Sequence, residues 1–210
     1  LASEENRRFN DRGTRAFITT QSIKKLKKYL RSWALDPKGW TCPEDNKIYD
    51  ISKLDENKYH DTVFYKERWI KENDFEQRLI VTYSLKYRNY QRTIRNSQIE
   101  RAQKLIKSNS VKLKQCNPND YKRFIVKTSC TADGEIAKRT IYGIDKELIE
   151  KEEAFDGFYG VCTNLDDDVS AIIKINRRRW EIEECFRIMK SEFKARPVYL
   201  SRDDRIEAHF

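Results

Sequence analysis

The stretch NRRRWEIEECFRIMK, Asn176 to Lys190, decides how the chain is read. At about 100° per residue, a helix through it brings Asn176, Arg179, Glu183, Arg187 and Lys190 within about 80° of one another. Ile175, Ile182, Phe186, Met189 and Phe193 gather on a neighbouring stripe, the pattern of a helix with one face in a core. Glu181 and Glu184 fall outside both faces and are expected in solvent. Two readings of the charged face stay open. Arg179–Glu183 and Glu183–Arg187 are i,i+4 pairs, each worth about 0.2–0.5 kcal/mol on a solvated helix. Alternatively, Glu183 ligates a divalent metal while the cations beside it bind phosphates, because carboxylate oxygens suit Mg²⁺ and a cationic face suits a polyphosphate.

Composition narrows the partner. Of 210 residues, 43 are Lys or Arg and 34 are Asp or Glu, a net charge of +9 that suits a polyanion such as nucleic acid. With 38% apolar and 37% charged residues the core is modest, and 12% aromatic residues argue against general disorder. Cys42, Cys116, Cys130, Cys162 and Cys185 are scattered and form no C-x-x-C pair. They read as reduced thiols of a cytoplasmic protein without a zinc site. No apolar run is long enough for a membrane span, so no membrane partner is expected. The chain opens LASEENRRF and its single methionine is Met189, so a piece of a longer protein is expected.

Along the chain, Ser3 caps a short helix that stops near Gly13, and RAFITT (Arg15 to Thr20) reads as a buried strand. A basic helix follows through SIKKLKKYLRSWAL. Residues 36–60, with Pro37, Gly39 and Pro43, read as a loop and module boundary. TVFYKERWI and QRLIVTYS form a hairpin across KENDFE. A long helix runs from Leu85 to Lys107 with seven cations (Lys86, Arg88, Arg92, Arg95, Arg101, Lys104, Lys107) against Glu100 alone. Such a helix is either a solvated face or a phosphate-tracking surface. A second hairpin turns at Asp133-Gly134, Asp145 caps a short helix, and DGFYGVCTN (Asp156 to Asn164) is a last strand before the helix of the opening stretch. Asp156 reads as a turn residue. Asp166, Asp167 and Asp168 read as acids favoured at a helix N-terminus.

The residues Asn176, Arg179, Glu183 and Lys190 resemble the signature Tyr-x-x-Arg-x-x-x-Glu-x-x-x-x-x-x-Lys of bacterial insertion-sequence transposases with a DDE, RNase H-like catalytic domain. RWEIEECFRIMK looks like that family's Arg-Trp-x-Ile-Glu-Glu block, and Asn176 departs from it where the family has Tyr. ARPVY (Ala195 to Tyr199) and RIEAH (Arg205 to His209) resemble the segment that follows. FDGFYGVCTN resembles the strand before the block, and LASEENRRFNDRGTRAFI the stretch after the family's second catalytic Asp. The likeness is weakest between Asp36 and Leu113.

The resemblance implies a mixed α/β fold: an incomplete RNase H-like catalytic domain interrupted by a β-rich insertion. Residues 1–28 and 166–210 would belong to the RNase H-like core and 29–165 to the insertion, which would help bury the catalytic carboxylate and hold DNA. It implies that Glu183 is the third catalytic acid and a ligand of a two-metal site for Mg²⁺ or Mn²⁺, completed by acids upstream of Leu1. In the family that site activates water, then a DNA 3′-hydroxyl, for attack on phosphodiesters. Arg179 and Lys190 would grip phosphates of the transposon end, with Arg187 beside them; Trp180 would stack on a base or lie in the core. The implied partners are DNA, as transposon ends and target, and a second copy of the chain in the active complex, at the bacterial nucleoid. A catalytically incomplete, basic DNA-binding remnant of a decayed element remains the alternative. An unrelated RNase H-like nuclease would leave the Arg-Trp-x-Ile-Glu-Glu block unexplained.

Overall fold

The computed structural model describes residues 3–108, 117, 119–130 and 136–191, with backbone alone at 128–130 and 136–140. Phe193, ARPVY, RIEAH, Cys116 and the Asp133-Gly134 turn lie outside the described residues. The chain divides into two compact units, Leu1–Asn164 and Leu165–Phe210. It is mixed α/β, with antiparallel strand pairing and several helices.

The first unit is organised by a hairpin of β4 (Val63–Glu72) and β5 (Phe75–Ser84), paired from Val63↔Ser84 to Glu72↔Phe75. The turn is only Asn73-Asp74, both at positive φ (48° and 57°), a conformation that Asn and Asp tolerate and that continues the strand twist. The wider KENDFE loop expected from sequence is therefore mostly strand. On the other side of β5 lies β8 (Phe158–Thr163), and β1 (Ile18–Gln21) pairs with β8 at the sheet edge. The short strands β2 (Trp40–Thr41) and β3 (Ile48–Tyr49) complete the order β1-β8-β5-β4-β2-β3. Residues 1–28, which the resemblance groups with 166–210, thus contribute a strand to the sheet of this unit. They also contribute α1 (Glu4–Phe9), capped by Ser3; its Arg7 donates to Gln77 Oε1 at 2.8 Å.

Residues 36–60 are not a module boundary. Trp40, Cys42 and Ile51 from that region are buried in one core with Leu30, Ala34, Phe64, Leu79, Val81 and Cys162. Its many polar residues make turns at the surface, while Trp40 packs against Tyr83 and Phe158 with centroids 5.9 and 5.7 Å away. The basic segment before it is also interrupted. A 3₁₀ turn, Ile23–Lys25, is separated from α2 (Lys28–Leu35) by extended backbone at Leu26 and Lys27.

Buried Lys66 on β4 closes the C-terminal end of α2. Its Nζ donates to Asp36 O at 2.7 Å and Trp33 O at 3.3 Å, and lies 4.8 Å from the Trp40 ring centre. Burial lowers the Lys66 pKa from the usual lysine value. The helix-end carbonyls and the aromatic face together supply negative potential to a cation without a hydrogen-bonded carboxylate.

A second, smaller core lies in the same unit, where α3 (Leu85–Lys107) meets the hairpin of β6 (Ile125–Cys130) and β7 (Ile136–Ile144) and helix α4 (Lys146–Glu153). Ala102, Phe124 and Ile125 are its buried centre. Asp145 caps α4 as expected, accepting from Leu148 N at 2.9 Å.

In the second unit the single helix expected from sequence is two: α5 (Val169–Arg177), capped by Asp168, and α6 (Arg179–Ser191). The chain leaves helical geometry at Arg178 (φ −76°, ψ 1°). Asn176 is a poor helix former, three successive arginines repel, and Arg178 is drawn to Glu181 at 2.8 Å. Among the described residues, no helix is long and apolar enough to cross a membrane. Cys42 and Cys162 are buried and Cys185 is exposed, all as free thiols; burial pushes the Cys162 thiol up to about 12.

Gly160 on β8 marks the closest strand approach. A Cβ there would lie 2.7 Å from the backbone oxygen of Gln21 on β1, an atom held by strand pairing. Gly160→Ala should destabilise the protein by about 1–3 kcal/mol, the range for overpacking. Gly143→Ala, whose Cβ would meet nothing closer than Val126 Cγ1 at 3.8 Å, should be near neutral. Urea midpoints of the two variants check this, and equal midpoints would contradict the sheet order.

Candidate nucleic-acid interface

Helix α6 carries Arg179, Trp180, Glu183, Arg187 and Lys190, and every one of them is exposed. Arg179, Glu183 and Lys190 therefore share one continuous helix, within about 40° of each other at its pitch. Asn176 does not belong to this face. It lies on α5 beyond the break, partly buried, with an Oδ1 that meets no hydrogen-bond donor.

The ion pairs differ from the i,i+4 set expected from spacing. Arg187 donates to Glu184, with Nε at 2.8 Å, and Arg178 donates to Glu181. These contacts hold both the Glu184 and the Glu181 carboxyl below the usual range. Glu181 and Glu184, expected in solvent, stay partly exposed and each pairs with an arginine. Arg187 serves an intrahelical pair, whose stabilisation at this exposure is small.

The apolar stripe of α6 is not in a core. Ile182 is 60% exposed, Phe186 56% and Met189 48%, while Ile175 on α5 is 52% and Trp180 64% exposed. The periodicity predicts a core-facing stripe, but it carries no information on whether a partner surface is present.

Among the described residues, no group of three or more Asp, Glu, His or Cys could hold a metal ion. Glu183 is one carboxylate on a face with Arg179 and Lys190, and such a positive field opposes a divalent cation.

The cations of α3 are mostly committed within the first unit. Lys86 pairs with Asp61 at 2.8 Å, Arg88 with Glu56 at 2.6 Å and Arg92 with Asp156 at 3.5 Å. Arg95 is buried, donating to both oxygens of Asp156 at 2.8 and 2.5 Å and to Glu153 at 3.3 Å. The Asp156 hydrogen bond raises the Arg95 pKa further above its ordinary value. Exposed Arg101, Lys104 and Lys107 remain of the seven, so a phosphate-tracking surface narrows to the C-terminal half of the helix.

Asp156 does sit at a turn, before Gly157 at φ +84°, but it is also the buried counter-ion of α3. Sequence reasoning missed this role. The available signal was Arg95 on the same helical face as Leu85, Ile99 and Ala102, because an arginine on a buried face demands an acid.

Beside this network two adjoining hollows, each of about 190 Å³, share Lys24, Gln91 and Phe155. One extends to Ile94, Arg95, Gln98 and Arg123, the other to Thr20, Gln21 and Tyr159. No protein-family model, curated protein or solved structure matches the chain.

Asp156→Asn would leave Arg95 buried with only the half-exposed Glu153 as an acidic partner, and should cost about 3–5 kcal/mol in urea unfolding. The double variant Arg95→Met, Asp156→Leu should be less destabilised than either single change, because no unpaired charge stays buried. A double variant as weak as the sum of its singles would deny the coupling.

Proposed function

We propose that this chain is part of a DDE-type insertion-sequence transposase, with an RNase H-like catalytic core to which α6 contributes the third acid, Glu183. The observation that carries the reading is the common placement of Arg179, Glu183 and Lys190 on one exposed helix, at the spacing of the transposase signature. Two cations flanking one carboxylate suit a DNA backbone approaching a hydrolytic site: Arg179 offers a forked donor set and Lys190 a mobile point charge. The exposed stripe of Ile182, Phe186 and Met189 also fits, since a helix of an RNase H-like core would cover such a stripe with strands of that core. Glu183 then acts within a site that other carboxylates complete, and Mg²⁺ or Mn²⁺ belongs to that completed site. The partners on this reading are transposon-end and target DNA and a second copy of the protein.

The test is strand cleavage of end-containing DNA by a protein extended N-terminally through two further acids. Glu183→Gln keeps the side-chain shape and removes a negative charge, so cleavage should be abolished while DNA binding stays within a few-fold. Cleavage by this variant near the unmodified rate would remove Glu183 from the chemistry. Binding without any cleavage in the unmodified extended protein would favour the DNA-binding remnant instead.

Phosphate grip is read separately from salt dependence. Lys190→Ala should weaken end binding and reduce the slope of log K against log salt by roughly 1, the loss of one phosphate contact. An unchanged slope would return Lys190 to a solvated face.

A further inference from the structure

The first unit presents an aromatic surface that neither its cores nor the α6 reading employs. Tyr87, Tyr90 and Ile94 follow one another on one face of α3 and are 37%, 60% and 42% exposed. The two tyrosine rings are nearly parallel, inclined by 20° with centroids 6.4 Å apart. Single exposed apolar residues are ordinary on a protein surface. Three on successive turns, with two rings co-aligned, form a platform instead.

The platform borders the double hollow, which continues the same helix face through Gln91 and Gln98. The acids that line it are neutralised from within: Glu152 is held by Arg123 at 3.0 Å, and Asp156 by Arg95 and Arg92. Lys24 is exposed over the Phe155 ring at 5.2 Å, and the described residues supply it with no carboxylate. Arg101 and Lys104 follow on α3, likewise exposed. The charge left to act on a ligand is therefore positive, in a chain of net charge +9.

We propose that this platform and groove bind an unpaired strand of DNA, with bases stacked on Tyr87 and Tyr90 and phosphates held by Lys24 and Arg101. The identity of the polyanion as DNA rests on the transposase reading; the unpaired state rests on the surface itself. Aromatic faces take bases only where the bases are not already stacked in a duplex, and stacking plus a cationic track is how single strands are held without sequence preference. Hollows of about 190 Å³ accommodate a base or sugar and are far too small to seat a duplex.

The experiment uses the 210-residue chain and fluorescence anisotropy, with labelled oligothymidylate of about 12 nucleotides and a duplex of equal length as probes. Tyr90→Ala should weaken oligothymidylate binding about tenfold, within the range of one lost base stack, and change duplex binding less than twofold. Tyr90→Phe should retain binding, because the ring and not the hydroxyl is used. Lys24→Ala should lower the salt slope for the single strand. Equal losses for both probes, no loss with Tyr90→Ala, or a dimer seen by light scattering that Tyr90→Ala dissociates would each overturn the proposal. None of these readouts involves Glu183 or strand cleavage. A cleavage failure in the extended protein therefore leaves this result standing, and an unaltered oligothymidylate affinity leaves the catalytic reading standing.

Discussion

The buried pair of Arg95 and Asp156 is the constraint on which the first unit depends. Its arginine lies midway along α3 and its aspartate at the entrance to β8, so the pair fixes the long helix against the strand that joins β1 to β5. Gln91 reinforces the same junction by accepting from Gly157 N at 2.7 Å. Both cores need that alignment: Leu85 at one end of α3 enters the larger core and Ala102 toward the other end centres the smaller. Removing two charges from water is costly, and the attraction between them roughly offsets the cost only where geometry is good. Two short hydrogen bonds from one guanidinium to one carboxylate provide that geometry. The pair therefore contributes more to where α3 lies than to net stability.

The same economy of charge explains why a basic protein need not be uniformly basic on its surface. Lys86, Arg88, Arg92 and Arg95 are answered by Asp61, Glu56 and Asp156, and Lys66 by helix-end carbonyls. These cations build the fold. Lys24, Arg101 and Lys104 have no such ion-pair duties among the described residues, so they set the field that an approaching polyanion meets.

How much of this was legible in the sequence varied with the kind of information needed. The β4–β5 hairpin, the limits of α3 and the caps at Ser3 and Asp145 were readable, because alternation, length and local hydrogen bonding determine them. The core role of Trp40 was hidden inside a segment rich in Pro, Gly and Asp, since local composition reports turns and not what one aromatic ring reaches across the sheet. The break at Arg178 was hidden for a different reason: helical periodicity persists on both sides of it, and a single residue at ψ near 0° resets the phase. Asp156 illustrates a third case. Its local setting correctly announced a turn, while its partner lay 61 positions away.

Helix α6 carries the clearest tension in the protein. Its charged face and its apolar stripe lie about 90° apart on average at helical pitch, so a surface that covered Ile182, Phe186 and Met189 would leave Glu183 at its rim and not beneath it. Such cover would lower the local dielectric beside the carboxylate and strengthen its interaction with Arg179 and Lys190. On the transposase reading, burial of the stripe and activation of the acid are thus one event. The cations that oppose a metal at a solitary Glu183 become useful once further carboxylates restore the negative balance and a phosphodiester brings its own charge to Arg179 and Lys190.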